Sequence, residues 1–453
     1  QFKYPAKRIT VNLAPADLPK EGGRFDLPIA IGILAASDQL DGSRLKQFEF
    51  VGELALTGEL RGVHGVIPAI LAAQKAKRAP IIAYQNANEA SLVSEQETYF
   101  AKNLLEVVQF LNNQEKLPLA SLLVQESAVG FSAKNHLDLT DIIGQQHAKR
   151  ALTIAAAGQH NLLFLGPPGT GKTMLASRLT ALLPEMTDLE AIETASVTSL
   201  VQNELNFQNW KQRPFRAPHH SASLPALVGG GTIPKPGEIS LAHNGVLFLD
   251  ELPEFERKVL DALRQPLESG EIIISRANAK IQFPARFQLV AAMNPSPTGH
   301  YTGTHNRTSP QQVMRYLNRL SGPFLDRFDL SIEVPLLPQG SLQNTGDRGD
   351  TSQQVREKVL KVREIQLARA GKINAYLSSK EIERDCKLQD KDALFLENAL
   401  NKLGLSVRAY HRILKVSRTI ADLNDEKEIQ HPHLAEALGY RAMDRLLQKL
   451  SAA

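Results

Sequence analysis

The residues most able to do chemistry lie in one stretch, Gly166-Pro167-Pro168-Gly169-Thr170-Gly171-Lys172-Thr173. Glycines at these spacings let successive backbone N–H groups turn inward on oxyanions without a Cβ in the way. A lysine and a hydroxyl follow directly. The set suits a nucleoside triphosphate: Lys172 reaches the β- and γ-phosphates, and Thr173 ligates Mg²⁺. The expected nucleotide contacts are Gly166, Pro167, Pro168, Gly169, Thr170, Gly171, Lys172, Thr173 and Met174. A second reactive pair, Asp250-Glu251, closes the apolar run Gly245-Val246-Leu247-Phe248-Leu249. Asp250 is expected to hold Mg²⁺ through water, and Glu251 to polarise the attacking water. The chemistry implied is hydrolysis of ATP with Mg²⁺ as cofactor.

Positioning these groups takes particular elements. Asn161-Leu162-Leu163-Phe164-Leu165 reads as a buried strand before the glycine loop, and Met174 to Leu179 as the start of a helix after it. Strand, glycine loop and helix is the context this motif requires, and the helix N-terminus adds partial positive charge. The run before Asp250 is apolar on both faces, as a parallel central strand is, and ligands gather at the carboxyl ends of such strands. Phe287 to Met293 reads as a further strand, closed by Asn294. Glu254 to Ser269 reads as one amphipathic helix, with Phe255, Val259, Leu263 and Leu267 on one face. Gly270 to Ser275 and Lys280 to Phe283 flank the turn Arg276-Ala277-Asn278-Ala279, a β-hairpin with basic residues at its tip. The stretch Glu190 to Gly237 carries Arg213 to Ser221 and Gly229-Gly230-Gly231, and reads as a functional insertion. His219 and His220 lie side by side without a ligand-spaced partner, so a metal is not expected there.

The chain has 453 residues, enough for two to four domains, and its 43% hydrophobic and 22% charged content suits an ordinary globular protein. No apolar run reaches membrane-spanning length. With 52 basic and 48 acidic residues the net charge is only +4, so any basic surface must be local. A single cysteine, Cys386, excludes an internal disulfide and suits a reducing cytosol. The first residue is Gln, and the sequence is expected to begin inside a domain. Residues 1–118 read as an α/β unit. Its elements are a strand at Arg8 to Leu13, a helix from Asp26 to Leu40, strand-like stretches from Phe48 to Leu60, a helix from Val66 to Lys77, a strand at Ile81 to Tyr84 and a helix from Leu104 to Leu111. Residues 119–138 read as a linker, 139–337 as the nucleotide core, 338–352 as a second linker and 353–453 as a helical lid.

The first unit resembles the Lon-protease-type domain, also found fused to RadA-like recombination motors. Pro19-Lys20-Glu21-Gly22-Gly23 and Gly52-Glu53-Leu54-Ala55-Leu56-Thr57-Gly58-Glu59-Leu60-Arg61 carry the match. The family's serine position falls on Arg24 and its lysine position on Ile67. A peptidase needs a hydroxyl and a base, so the unit is expected to be a scaffold, with Ser37 a packing residue within a helix. The nucleotide core resembles AAA+ ATPases of the class that includes magnesium-chelatase motors and MCM helicases. In that class Ile143-Gly144-Gln145 would pack on adenine. Asn294 would be the polar sensor, Arg327 in Arg327-Phe328-Asp329-Leu330 an arginine finger for a neighbouring subunit, and Arg408 the second sensor arginine.

End to end, the chain resembles the YifB/ComM family of magnesium-chelatase-like ATPases. The segments FRAPHHSAS, LAHNGVLFLDELPEF, YLNRLSGPFLDRFDL and VRAYHRILKVSRTIADL carry that match. The resemblance implies an α/β protein: a Lon-like domain, a P-loop α/β/α sandwich and a helical lid. It implies a homo-hexameric motor that migrates single-stranded and branched DNA during natural transformation. It leaves room for a recombinase or other DNA-processing protein at the N-terminal domain. Arg276, Lys280, Arg216, His219, His220 and Ser221 are then the expected DNA contacts. The alternative is a chelatase-type remodeller of a protein partner. Many relatives carry cysteines after the sensor asparagine; here only His300 and His305 stand there, and no structural metal is expected.

Overall fold

The computed structural model describes residues 2–13, 22–93, 97–123, 137–202, 209–231, 234–276, 279–299, 308–338, 340 and 348–451. His300, His305, Pro19, Lys20, Glu21 and the hairpin turn at 277–278 lie outside them, as do the side chains of residues 276 and 279.

In the N-terminal unit, β1 (Phe48–Val51), β2 (Glu53–Leu54), β3 (Leu60–Arg61), β4 (Ala79–Ala83) and β5 (Tyr99–Ala101) alternate with helices Asp26–Ala36, Val66–Lys75 and Leu104–Leu111. The parallel sheet runs β1-β4-β5, and β2 pairs with β3 beside it. Residues 8–13 do not form the expected strand. They are exposed and no sheet edge accepts them, and alternation makes a strand only where a partner supplies the ladder. Ser37 caps the C-terminal end of its helix rather than sitting within it, its hydroxyl donating to the Ile33 carbonyl at 2.8 Å. Leu119 to Leu123, expected as linker, folds back onto this unit: Leu119 bridges Tyr99, and the Ala120 N–H donates to Thr98 at 2.8 Å. The unit docks on the core through the helix Asp188–Ser199. Ala195, Ile192 and Trp210 pack with Val63, Val66 and Ile70, and the Gly65 N–H donates to the Ser199 carbonyl at 2.7 Å.

The core is a five-stranded sheet. Its strands are β6 (Leu162–Leu165), β7 (Phe215–Arg216), β10 (Val246–Leu249), β13 (Gln288–Met293) and β14 (Leu330–Glu333), in the order β14-β6-β13-β10-β7 and all parallel. Two short antiparallel pairs project from it: β8 (Gly229–Gly230) with β9 (Lys235–Pro236), and β11 (Glu271–Arg276) with β12 (Ala279–Pro284). Successive strand residues point to opposite faces. Leu162, Phe164, Val246, Phe248 and Val290 join one apolar cluster, while Leu163, Leu165, Leu247, Leu249 and Leu289 join the other. The strands thus read as unbroken apolar runs because both faces are covered.

Glu254 to Ser269 is not one helix. It divides into Arg257–Ala262 and Arg264–Ser269 after a short turn at Leu252–Glu254. Pro266 has no N–H to continue the ladder, which accounts for the break. The C-terminal helices Ser352–Ala370, Ser379–Asp385, Asp390–Leu403, Val407–Leu423 and His431–Gly439 bury Val355, Val359, Leu396, Ile413 and Ile420 in the first cluster. The final helix, Ala442–Ser451, sends Met443 and Leu446 into the second. No helix of the described residues is long and apolar enough to cross a membrane.

Candidate functional site

Parallel strands place their following loops along one edge, and that edge holds the site. The glycine loop follows β6, the acidic pair follows β10 and Asn294 follows β13. Gly169 and Gly171 have φ of 77° and 86°, the left-handed region where a side chain would be strained. The helix Lys172–Leu182 starts at Lys172. The Lys172 ammonium donates to the carbonyls of Gly166 and Pro167, both at 2.8 Å, and to Asn294 Oδ1 at 3.2 Å. Burial lowers its pKa, opposed by the charge of Asp250. Thr173 Oγ1 donates to Asp250 Oδ2 at 2.6 Å. Lys172, Thr173, Asp250 and Asn294 therefore meet on this edge.

Ile143, Gly144 and Gln145 also reach this edge. Gln145 Nε2 donates to the Pro335 carbonyl at 2.7 Å, and Pro335 directly follows Val334, whose N–H donates to Leu165 at 2.7 Å. Met174 is exposed beside the loop.

Glu251 holds an arrangement that its motif did not foretell. Its backbone is left-handed, with φ 51° and ψ 47°, and its N–H donates to Asp250 Oδ1 at 2.9 Å. His220 Nδ1 lies 3.1 Å from Glu251 Oε2, and the His220 ring packs edge-on to Phe255. β7 neighbours β10, so the segment after β7 arrives at the same edge as the acidic pair. That strand order was the missing signal. The His219 ring lies against that of His220, centroids 4.1 Å apart and planes tilted by 34°, and bonds Ser221 Oγ at 2.8 Å. Arg216 makes a two-pronged pair with Glu238, both contacts 2.6 Å, and those bonds raise its pKa. Of the residues expected on DNA, Arg216 and His220 are thus engaged with carboxylates of this same chain.

Three family models match: the magnesium chelatase subunit ChlI over residues 138–342, the ChlI C-terminal region over 349–441, and the ChlI subunit of Mg-chelatase over 1–86. A competence protein ComM of Haemophilus influenzae is 91% identical over 451 residues, covering 100% of this chain and 89% of its own length. An uncharacterized protein YifB of Escherichia coli is 58% identical over 446 residues, covering 98% and 87%. The chain belongs to the YifB/ComM family of magnesium-chelatase-like AAA+ proteins. More distantly, the magnesium-chelatase 38 kDa subunit of Rhodobacter capsulatus is 30% identical over 233 residues, covering 47% of this chain and 59% of its own.

In this YifB/ComM-family chain the two arginines expected at the γ-phosphate stand away from their own glycine loop. β14 runs parallel to β6, with Leu330 beside Leu162 and Glu333 beside Leu165. Arg327 precedes β14, at the amino end of the sheet, and the loop leaves its carboxyl end. At about 3.3 Å per strand residue the two are on the order of 15 Å apart. Asn161 Nδ2 donates to the Arg327 carbonyl at 2.9 Å, which anchors that segment at the foot of β6. Arg412 lies 3.9 Å from Asp329, and Arg408, exposed one turn earlier on the helix Val407–Leu423, shares its face.

The β11–β12 hairpin keeps its register from Glu271 opposite Pro284 to Arg276 opposite Ala279, with Lys280 exposed near the tip. It packs on the insertion: a Cβ at Gly229 would come within 2.8 Å of Ile274 Cδ1.

Proposed function

We propose that this chain is an ATP-driven DNA motor that assembles as a homo-hexamer. In this reading it migrates branched DNA in the cytoplasm during natural transformation, extending the integration of incoming single strands. The observation that carries the motor reading is the gathering of Lys172, Thr173, Asp250, Glu251 and Asn294 on one sheet edge, with Arg327 on the opposite edge. The route to DNA rests on the 91% identity to a protein named for competence and on a hairpin whose Lys280 faces solvent.

The residues present fit ATP with Mg²⁺. The Thr173 hydroxyl and the Asp250 carboxylate already lie together where a cation would take both, and the glycine loop offers its amides. Bound Mg-nucleotide supplies the phosphoanhydride and a cation that neutralises its oxygens. Lys172 exchanges the Gly166 and Pro167 carbonyls for phosphate oxygens. Glu251 orients the attacking water and takes its proton, and Asn294 fixes the water or the γ-phosphate. Arg327, a permanent and delocalised charge, serves the site of the next subunit, since its own site is a sheet length away. Arg408 shares that edge and the same neighbour. The N-terminal unit, with Arg24 and buried Ile67 at the Lon-type dyad positions, acts as a scaffold or docking module.

The deciding experiment measures steady-state ATP hydrolysis with no DNA, with single-stranded DNA and with a branched junction, alongside migration of a labelled strand. Stimulation by DNA and ATP-dependent migration support the motor. The relation to the Rhodobacter capsulatus magnesium-chelatase subunit favours a second reading, a remodeller of a protein partner. Hydrolysis indifferent to every DNA tested would select it.

A further inference from the structure

Arg327 is not free in this structure. Its Nη2 donates to Glu268 Oε1, its side chain is only 15% exposed against 59% for Glu268, and its Nε finds no acceptor among the described residues. Its backbone is fixed, because the carbonyl accepts from Asn161 and the N–H donates to Phe324 at 2.9 Å. An arginine that stabilises a phosphoryl transition state must offer uncompensated charge. Against Glu268 that charge is cancelled.

Glu268 sits at the root of the DNA-facing hairpin. It lies on the helix Arg264–Ser269, and only Ser269 and Gly270 separate it from β11. That joint is tight. Ser269 Oγ donates to the Gln265 and Glu271 carbonyls at 3.1 and 3.0 Å, and the N–H of Ala285, the residue after β12, donates to the Gly270 carbonyl at 2.8 Å. A hairpin displaced by a strand held at its tip carries the glutamate with it, while Asn161 keeps the arginine's backbone in place.

We propose that Glu268 is a positioning residue for hydrolysis, a charge latch that withholds Arg327 from the neighbouring subunit until the hairpin moves. The latch rests on the motor reading above, with Arg327 acting across the interface. It has two states, paired and released, and DNA at the hairpin biases them, which is what coupling between the two places requires. A static ion pair that merely braces residues 322–329 would have no such consequence.

The test uses the full chain and the isosteric change Glu268→Gln, which removes the charge and keeps the shape. Expected is a rise of roughly 3- to 10-fold in DNA-independent kcat with KM unchanged, and a smaller DNA stimulation ratio. Glu268→Asp, which keeps the charge, should restore wild-type behaviour. Arg327→Ala and the double variant Glu268→Gln, Arg327→Ala should be equally inactive. A kcat at or below wild type with the stimulation ratio intact overturns the latch, and so does lower thermal stability without a gain in kcat. If Arg327→Ala turns over normally, the finger assignment fails instead. If no DNA stimulates the wild type, the motor reading fails, and the rise in basal kcat still decides the latch.

Discussion

The insertion after β7 and the hairpin before β13 look alike in sequence, polar stretches with basic residues, and both were expected to grip DNA. The structure separates them. In the insertion, Arg216 is paired with Glu238, and His220 lies against Glu251 at the edge that holds the acidic pair. In the hairpin, Lys280 faces solvent at the far end of a six-pair ladder. The difference shows that basic composition does not make a nucleic-acid surface: a cation already neutralised by its own chain has little charge left for a phosphate. What decides is whether the carboxylates nearby arrive by the fold. β7 neighbours β10 and so brings Glu251 to His220, and the helix Glu238–Leu241 brings Glu238 to Arg216; the hairpin projects away.

The contrast can be broken in four ways. Glu251→Gln should lower hydrolysis by at least about 100-fold while ATP still binds, since the amide fits but cannot take a proton; a fluorescent nucleotide and a phosphate-release assay read the two arms. Turnover near wild type would remove Glu251, and the inward role of the insertion with it. Next comes the hairpin. Arg276→Ala with Lys280→Ala should weaken DNA binding by about 10-fold or more and flatten its salt dependence by about two counterions, leaving basal hydrolysis intact. Binding titrations across a salt series measure this, and an unchanged slope would deny the hairpin its grip. A smaller effect is expected at His220. His220→Ala should lower kcat about 5-fold through loss of Glu251 orientation, with KM and the DNA salt slope unchanged. A changed salt slope there would return His220 to the DNA path. The smallest concerns Arg216→Ala, which leaves Glu238 half-buried without its partner. A loss of about 1 kcal/mol in a denaturant titration is expected, with DNA affinity retained; the opposite pattern would make Arg216 a phosphate contact after all.

Local rules made much of this molecule legible. The glycine loop, its flanking strand and helix, the strand ending in Asp250-Glu251 and the one ending in Asn294 are each set by a handful of adjacent residues. The structure brings Lys172, Thr173, Asp250 and Asn294 within bonding distance. The hairpin itself was likewise readable, but its ladder runs on to Arg276 opposite Ala279, two residues that the sequence placed in the turn. What the sequence hid was strand order. Nothing near His220 announces Glu251, thirty-one positions on, because their meeting depends on β7 lying beside β10. The partner of Arg327, on a helix that one proline divides, was hidden for the same reason. Residues 8–13 make the converse point: their alternation is local, but a strand needs a neighbour, and none of the described strands takes them.

The distance between the glycine loop and Arg327 bears on how such subunits count. The glycine loop hangs from the carboxyl end of the sheet and Arg327 from the amino end. Under the trans assignment a row of subunits added head to tail always carries a bare arginine at one terminus and a bare glycine loop at the other. An open arc then owns one fewer completed site than it has members, and closing the circle is the only addition that finishes a site without adding a chain. Turnover per subunit should therefore climb with protein concentration and level off once circles dominate. A single member lacking Arg327 should silence its neighbour's site while its own stays whole.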